Sequence, residues 1–280
     1  MNLNMGKVKK IKIKLRSYIV AVFQTLFTRK IFFPIHRFFY KFSLLGMGIN
    51  QSFDFEKNGE KVVLKRIISK ISNPIIFDVG ANVGEYSKAI KNISEQSLLY
   101  AFEPHPKTYL VLKEQALKNN FIAINQGLGC KEEVMQLFDY KINDGSPRAS
   151  LFRDVIEIQY NSPSVTHNVS ISTIDNFMKR NHIEKIHLLK IDTEGNELNV
   201  LLGAKETLEN NLIDVIQFEF NYTNIISKVF FSDFSRLLPG FTFYRIVRDG
   251  LVKLAPLSVF NEIFMYQNII AINSCRTVKK

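Results

Sequence analysis

The chain is poor in cysteine, with only Cys130 and Cys275 among its 280 residues. Two distant thiols exclude a disulfide framework, offer no zinc spacing and fit a reducing compartment. Long polar low-complexity tracts are missing as well, and 46% of residues are hydrophobic, which excludes a disordered chain. The five histidines (His36, His105, His167, His182, His187) show no paired ligand spacing, so no metal is expected. No apolar run reaches the ~20 residues a bilayer-spanning helix needs, and the stretch from Tyr18 to Phe27 is about half of that. Acidic residues, finally, are absent from the first 53 positions.

That last absence locates the charge. Residues 1–53 carry Lys7, Lys9, Lys10, Lys12, Lys14, Arg16, Arg29, Lys30, Arg37 and Lys41, whereas 54–280 are close to neutral, so the net +11 belongs to the arm. The overall charge is therefore a poor argument for a nucleic-acid partner, and none is expected. The arm alternates lysine with aliphatic residues and then turns aromatic through Ile31–Phe42. Two readings stand side by side: helices packed on the domain with solvated lysines, or residues 7–47 resting on an anionic membrane surface. A cleaved secretory signal would need a small-x-small site, and Arg29 and Lys30 follow instead. The expected location is cytoplasmic, peripheral at the inner membrane face on the second reading.

From residue 60 onward, strands alternate with helices. Short apolar runs bounded by turn residues predict buried parallel strands at Ile75–Val79, Leu98–Phe102, Ile122–Asn125, His187–Ile191 and Asp214–Phe218. One helix is expected from Pro106 to Asn119-Asn120, another from near Glu194 to Asn210-Asn211, burying Leu198, Leu201, Leu202 and Leu208. This pattern predicts a basic helical arm over 1–58 and one α/β domain over 59–280, its open parallel sheet covered on both faces. Residues 130–172 hold two strong turn sequences and read as an insertion near the site. Phe241–Val247, a turn at Asp249-Gly250, and Tyr266–Ile272 suggest an antiparallel end to the sheet.

Ligands of such sheets bind where the strands end. The first strand runs into Gly80-Ala81-Asn82-Val83-Gly84, where a glycine admits close backbone approach and a helix N-terminus offers free N–H groups. Asp78 ends the strand. Glu103 ends the second, where an acid binds ribose hydroxyls, and Pro104 follows it. Lys190-Ile191-Asp192-Thr193-Glu194 gathers ionisable groups at the edge of a middle strand, with helix capping by Asp192 or Thr193 as the plainer reading. Glu219, with Asn221 and Tyr222 after it, suits an acceptor pocket.

Together, Phe77–Ser87 (FDVGANVGEYS), Ala101–Pro104 (AFEP), Leu189–Glu197 (LKIDTEGNE) with Leu201–Gly203, Gln217–Tyr222 (QFEFNY) and Asn268–Ile272 (NIIAI) resemble the FkbM family of methyltransferases. The resemblance spans roughly residues 70–275 and rests on order and spacing. It implies a Rossmann-like class I methyltransferase fold: a mostly parallel seven-stranded sheet with an antiparallel C-terminal strand and helices on both faces. It also implies S-adenosyl-L-methionine as donor and O-methylation of a sugar, glycan or other small-molecule hydroxyl. By that likeness Asp78, Gly80, Ala81, Asn82, Gly84, Glu103 and Pro104 line the donor site. Asn125 lies near the adenine and Asp192 near the reacting centre. Thr193 stands where Val is frequent, and Phe220-Asn221 where Tyr-Gly is common, differences that bear on the acceptor.

Transfer to a hydroxyl calls for a base, with Asp192 first, Glu194 second and Glu219 nearby as catalytic candidates. Two alternatives share part of this sequence. An NAD-dependent oxidoreductase would use the same glycines and Glu103, but Gly80 and Gly84 do not make the G-x-G-x-x-G spacing. A non-catalytic protein binding a membrane or a partner through its arm is the other.

Overall fold

The computed structural model describes residues 2–276. The chain forms two compact units, 1–47 and 48–280. The division falls at 47/48; just after it Asn50 N–H donates to the Tyr266 carbonyl and Gly48 lies against the Ile246 carbonyl. The first unit holds α1 (Asn2–Phe27), a short 3-10 turn (Lys30–Phe32) and α2 (Phe33–Gly46). Among the described residues no single helix is long and apolar enough to cross a membrane; two segments, Arg16–Phe27 and Lys30–Gly46, meet the test together but bend by 92° at their break.

In the second unit, the short apolar runs Ile75–Val79, Leu188–Ile191 and Val215–Phe220 form central strands buried on both faces. The strands are β1 (Ile75–Val79), β2 (Leu98–Phe102), β3 (Ile122–Ile124), β4 (Gly127–Leu128), β5 (Glu133–Tyr140), β6 (Ser164–Ser172), β7 (Leu188–Ile191), β8 (Val215–Phe220), β9 (Phe241–Val247), β10 (Gly250–Lys253) and β11 (Gln267–Asn273). The helices are α3 (Glu60–Ile68), α4 (Glu85–Ile93), α5 (Pro106–Asn119), α6 (Ile174–Arg180), α7 (Glu197–Leu202), α8 (Lys205–Glu209), α9 (Thr223–Ser227) and α10 (Phe231–Leu237).

The main sheet runs β10-β9-β11-β8-β7-β1-β2-β3. Its strands from β3 to β8 pair in parallel, and β11 enters antiparallel between β8 and β9. The count is eight rather than the expected seven, because the chain turns back after Val247 and adds β10 at the edge. Side-chain alternation splits the core. Phe77, Phe102 and Phe218 pack with α6, α7 and α10 residues on one face, and Ile76, Ala101 and Ile270 pack with α3, α4 and α5 residues on the other.

The segment expected as an insertion forms its own three-stranded sheet, β4-β6-β5, with a helical turn at Val155–Gln159. The single helix expected over 194–210 is two, α7 and α8. The break lies at Gly203, where a Cβ would stand 2.0 Å from the Gly129 carbonyl oxygen. Leu201 is buried as expected, Leu198 and Leu208 are half-buried, and Leu202 is 44% exposed.

Candidate active site

The carboxyl ends of β1, β2 and β7 meet at one edge, and three backbone arrangements shape it. Gly80 takes φ +82°, and a Cβ there would sit 1.8 Å from the Asp192 carbonyl oxygen. What its missing side chain admits is the backbone beyond β7, which locks the two loops together. Gly84 precedes α4 with φ +88°, and its Cβ would lie 2.9 Å from Leu112 Cδ1, so this glycine lets α4 approach α5. Glu194, which has a Cβ, nevertheless adopts φ +51°. Strain of that kind persists only where surrounding contacts impose it. Those contacts are visible: Thr193 N–H, Thr193 Oγ1 and Gly195 N–H donate to Glu197 Oε1, and Ser150 Oγ donates to the Glu194 carbonyl. Neither Asp192 nor Thr193 caps the following helix, since Asn196 is the residue before α7.

A narrow crevice of about 60 Å³ lies over the ends of β1 and β2. Gly80, Asn82, Glu103 and Pro104 line it, with Gly127 and Leu128 of β4 at one side. Ser146, Pro147, Ala149 and Leu151, from the β5–β6 connection, also face it. Glu103 is 7% exposed; Oε2 accepts from Asn82 N–H at 2.9 Å and Oε1 from His105 N–H at 2.8 Å. Burial pushes its carboxyl up to about 7 against the pull of those two bonds. Asn125 is not among the lining residues: its Nδ2 donates to the Glu103 and Pro104 carbonyls and shapes that turn from behind.

A larger cavity of about 750 Å³ adjoins the crevice. Gly80, Asn82, Pro147, Asp192 and Glu194 line both spaces. Asp78 and Ala81 face only the larger one; Asp78 Oδ2 accepts from Ser87 Oγ at 2.6 Å, and burial raises its carboxyl to about 6. Glu219, Asn221 and Tyr222 are there too, with Glu219 Oε2 accepting from Asn221 Nδ2 at 2.7 Å.

Three neighbouring ionisable groups differ in their partners. Asp192 is ion-paired with Lys190 at 2.9 Å. Lys190 is buried, yet Asp192, Glu60 and Glu219 hold its ammonium above the usual lysine range. Glu194 has a buried Oε2 with no hydrogen-bond partner, and burial plus the charges of Asp192 and Glu197 raises its carboxyl. Glu219 is raised by burial and by the same acidic neighbours.

Sequence reasoning missed Glu60, Arg148, Tyr266 and Asn268, which also line the larger cavity. It also missed a cluster that no spacing announces. Among the described residues, His105, Asp144 and His167 bring ligand-type atoms within 4.8 Å of one another. The His105 and His167 Nε2 atoms lie 2.9 and 2.7 Å from Asp144 Oδ1, and Lys107 Nζ lies 2.6 Å from Oδ2. His105 Nδ1 accepts from Lys107 and Thr108 N–H, which places the ring proton on Nε2, facing Asp144. The trio forms a hydrogen-bonded latch beside Glu103.

A parallel sheet whose first two strands end in a glycine loop and a buried acid, completed by an antiparallel C-terminal strand, defines the Rossmann-like class I methyltransferase fold. The model of the methyltransferase FkbM domain matches residues 78–243, and the chain belongs to that family. Methyltransferase sdnD of Sordaria araneosa is 27% identical over 160 residues, 48% of this chain and 62% of that protein. Hexuronic acid methyltransferase AglP of Haloferax volcanii is 25% identical over 157 residues, 54% of this chain and 59% of that protein. The matches thus span about three-fifths of these relatives' lengths. Among solved structures, the plantazolicin methyltransferase BpumL in complex with SAH has a TM-score of 0.44 at 12% identity, covering 96% of this chain and 98% of that one.

Proposed function

We propose that this chain moves the methyl group of S-adenosyl-L-methionine to a hydroxyl oxygen of a sugar, glycan or other small acceptor. The observation that carries the reading is the junction of the two spaces, where Gly80, Asn82, Asp192 and Glu194 serve both the strand-end crevice and the acid-lined cavity. When bound, the donor supplies an electrophilic methyl on a sulfonium whose charge disappears on transfer. The residues fit that group: Glu103 keeps lone pairs for ribose hydroxyls beyond the two backbone bonds it accepts, and the Asp78 carboxylate matches an ammonium in sign. At about 60 Å³ the crevice is smaller than the usual 300–1,000 Å³ ligand pocket, and the 146–151 stretch supplies part of its wall.

Proton removal falls to Glu194. Asp192 is occupied by Lys190, whereas Glu194 has an unpartnered oxygen at the junction and a raised pKa, the properties of a base near neutral pH. The name of AglP, a hexuronic acid methyltransferase, supports a sugar acceptor here. Calorimetry of the full chain with S-adenosylhomocysteine and with NAD, followed by labelled-methyl transfer onto a sugar panel, is the test. Binding of the first alone and label on oxygen are expected; NAD binding, or neither ligand bound, overturns the reading.

A further inference from the structure

The first unit exposes what folded proteins normally cover. On α2, Ile35, Phe38, Phe39 and Phe42 recur at i, i+3, i+4 and i+7 and form one stripe, with exposures of 49%, 54%, 58% and 57%. Arg37 and Lys41, one turn apart, occupy a different side of the same helix. On α1, Tyr18, Ile19, Phe23, Leu26 and Phe27 are all between 41% and 69% exposed. A contiguous apolar surface of this kind marks an interaction site.

We propose that residues 14–46 lie in the interfacial plane of an anionic lipid bilayer, phenylalanines in the acyl boundary and basic side chains among the phosphates. Charge selects this occupant. The basic side chains meet no acid anywhere in the first 53 residues, so a second copy of the unit would bring like charges together. An anionic headgroup layer neutralises them while its hydrocarbon covers the aromatic stripe. The 92° bend fits helices that follow a surface, and neither helix alone is a span. Phe23 and Phe27 stack at 5.3 Å and His36 Nε2 bonds the Phe27 carbonyl at 2.9 Å, so the corner between the helices is itself a built, aromatic wedge.

The test is co-sedimentation of the full chain with phosphatidylcholine vesicles, with and without phosphatidylglycerol. Binding on the order of tenfold stronger to the anionic vesicles is expected, falling as salt rises. F38S/F39S and R37E/K41E should each weaken it severalfold, while circular dichroism and the thermal transition of the body stay unchanged. Equal recovery with both vesicle types, or no sedimentation, overturns the proposal. So does retention after a carbonate wash, which would make the arm a span, and so does a dimer that these substitutions dissolve without any vesicle binding.

Discussion

Glu103 and Glu194 are both acids raised by burial, and in the proposed function each serves its role only when ionised. As the proposed partner of the donor's ribose, Glu103 must be ionised to accept two hydroxyl hydrogens, so donor affinity should strengthen as pH rises through about 7. Glu103→Gln should flatten that profile and weaken S-adenosylhomocysteine by tenfold or more, read by calorimetry at several pH values. In the proposed role Glu194 is a base only once deprotonated, so turnover should climb along the limb set by its raised pKa and fall on acidification. Glu194→Gln should remove that limb and cost roughly 10²–10⁴ in kcat with donor affinity kept; retention of full turnover would return the role to Asp192. Both residues were legible as strand-end acids in ordered motifs. The preference proposed for Glu194 over Asp192 was not, because it rests on the Lys190–Asp192 ion pair and the unpartnered Glu194 oxygen, which depend on what surrounds them.

Among the elements, the β5–β6 connection matters most, because it forms one wall of the crevice and its turn is tied down. Asp139 accepts from Gly145 and Ser146 N–H, and Asp144 is held by His105, His167 and Lys107. Burial opposes ionisation of Asp144, but those three donors outweigh it and hold the carboxyl well below the usual range. Asp144→Ala should speed hydrogen exchange across 141–151 and weaken the donor severalfold; unchanged exchange would show that the latch restrains nothing. Burial lowers the His105 pKa, so the folded state resists a proton that the unfolded chain takes up near 6.5. Its contribution is therefore complete above about 6.5 and is lost as pH falls toward the depressed folded value. The sequence marked this segment as long and turn-rich, but its partners lie on α5 and β6, at separations no local pattern connects.

At the scale of the whole molecule, β11 is threaded between β8 and β9, and a buried polar network fastens it there. The Glu60 carboxylate, at the start of α3, accepts from Asn58, Gln217 of β8 and Asn268 of β11. Glu60→Leu would remove the acceptor of Asn58 Nδ2 and one of the two acceptors of Gln217 Nε2 and Asn268 Nδ2, and should lower stability by roughly 3 kcal/mol, measured by denaturant unfolding; Glu60→Gln should cost less. Gly80→Ala forces a Cβ into the Asp192 carbonyl at φ +82° and should destabilise by a similar roughly 3 kcal/mol, with donor binding lost.

Periodicity and turn residues alone determined the strand–helix alternation, the glycine loop after β1, the acid ending β2, and the division between a basic arm and a near-neutral body. These features are local: apolar spacing, a helix-starting proline or a glycine turn acts within a few residues. Tertiary structure decided the eighth strand, the break at Gly203, the His105–Asp144–His167 latch and which acid stands free at the junction of the cavities. The Gly203 break and the latch depend on contacts between segments far apart in sequence, which the folded sheet brings together, and the free acid and the edge strand depend on how local residues are buried and paired within that fold.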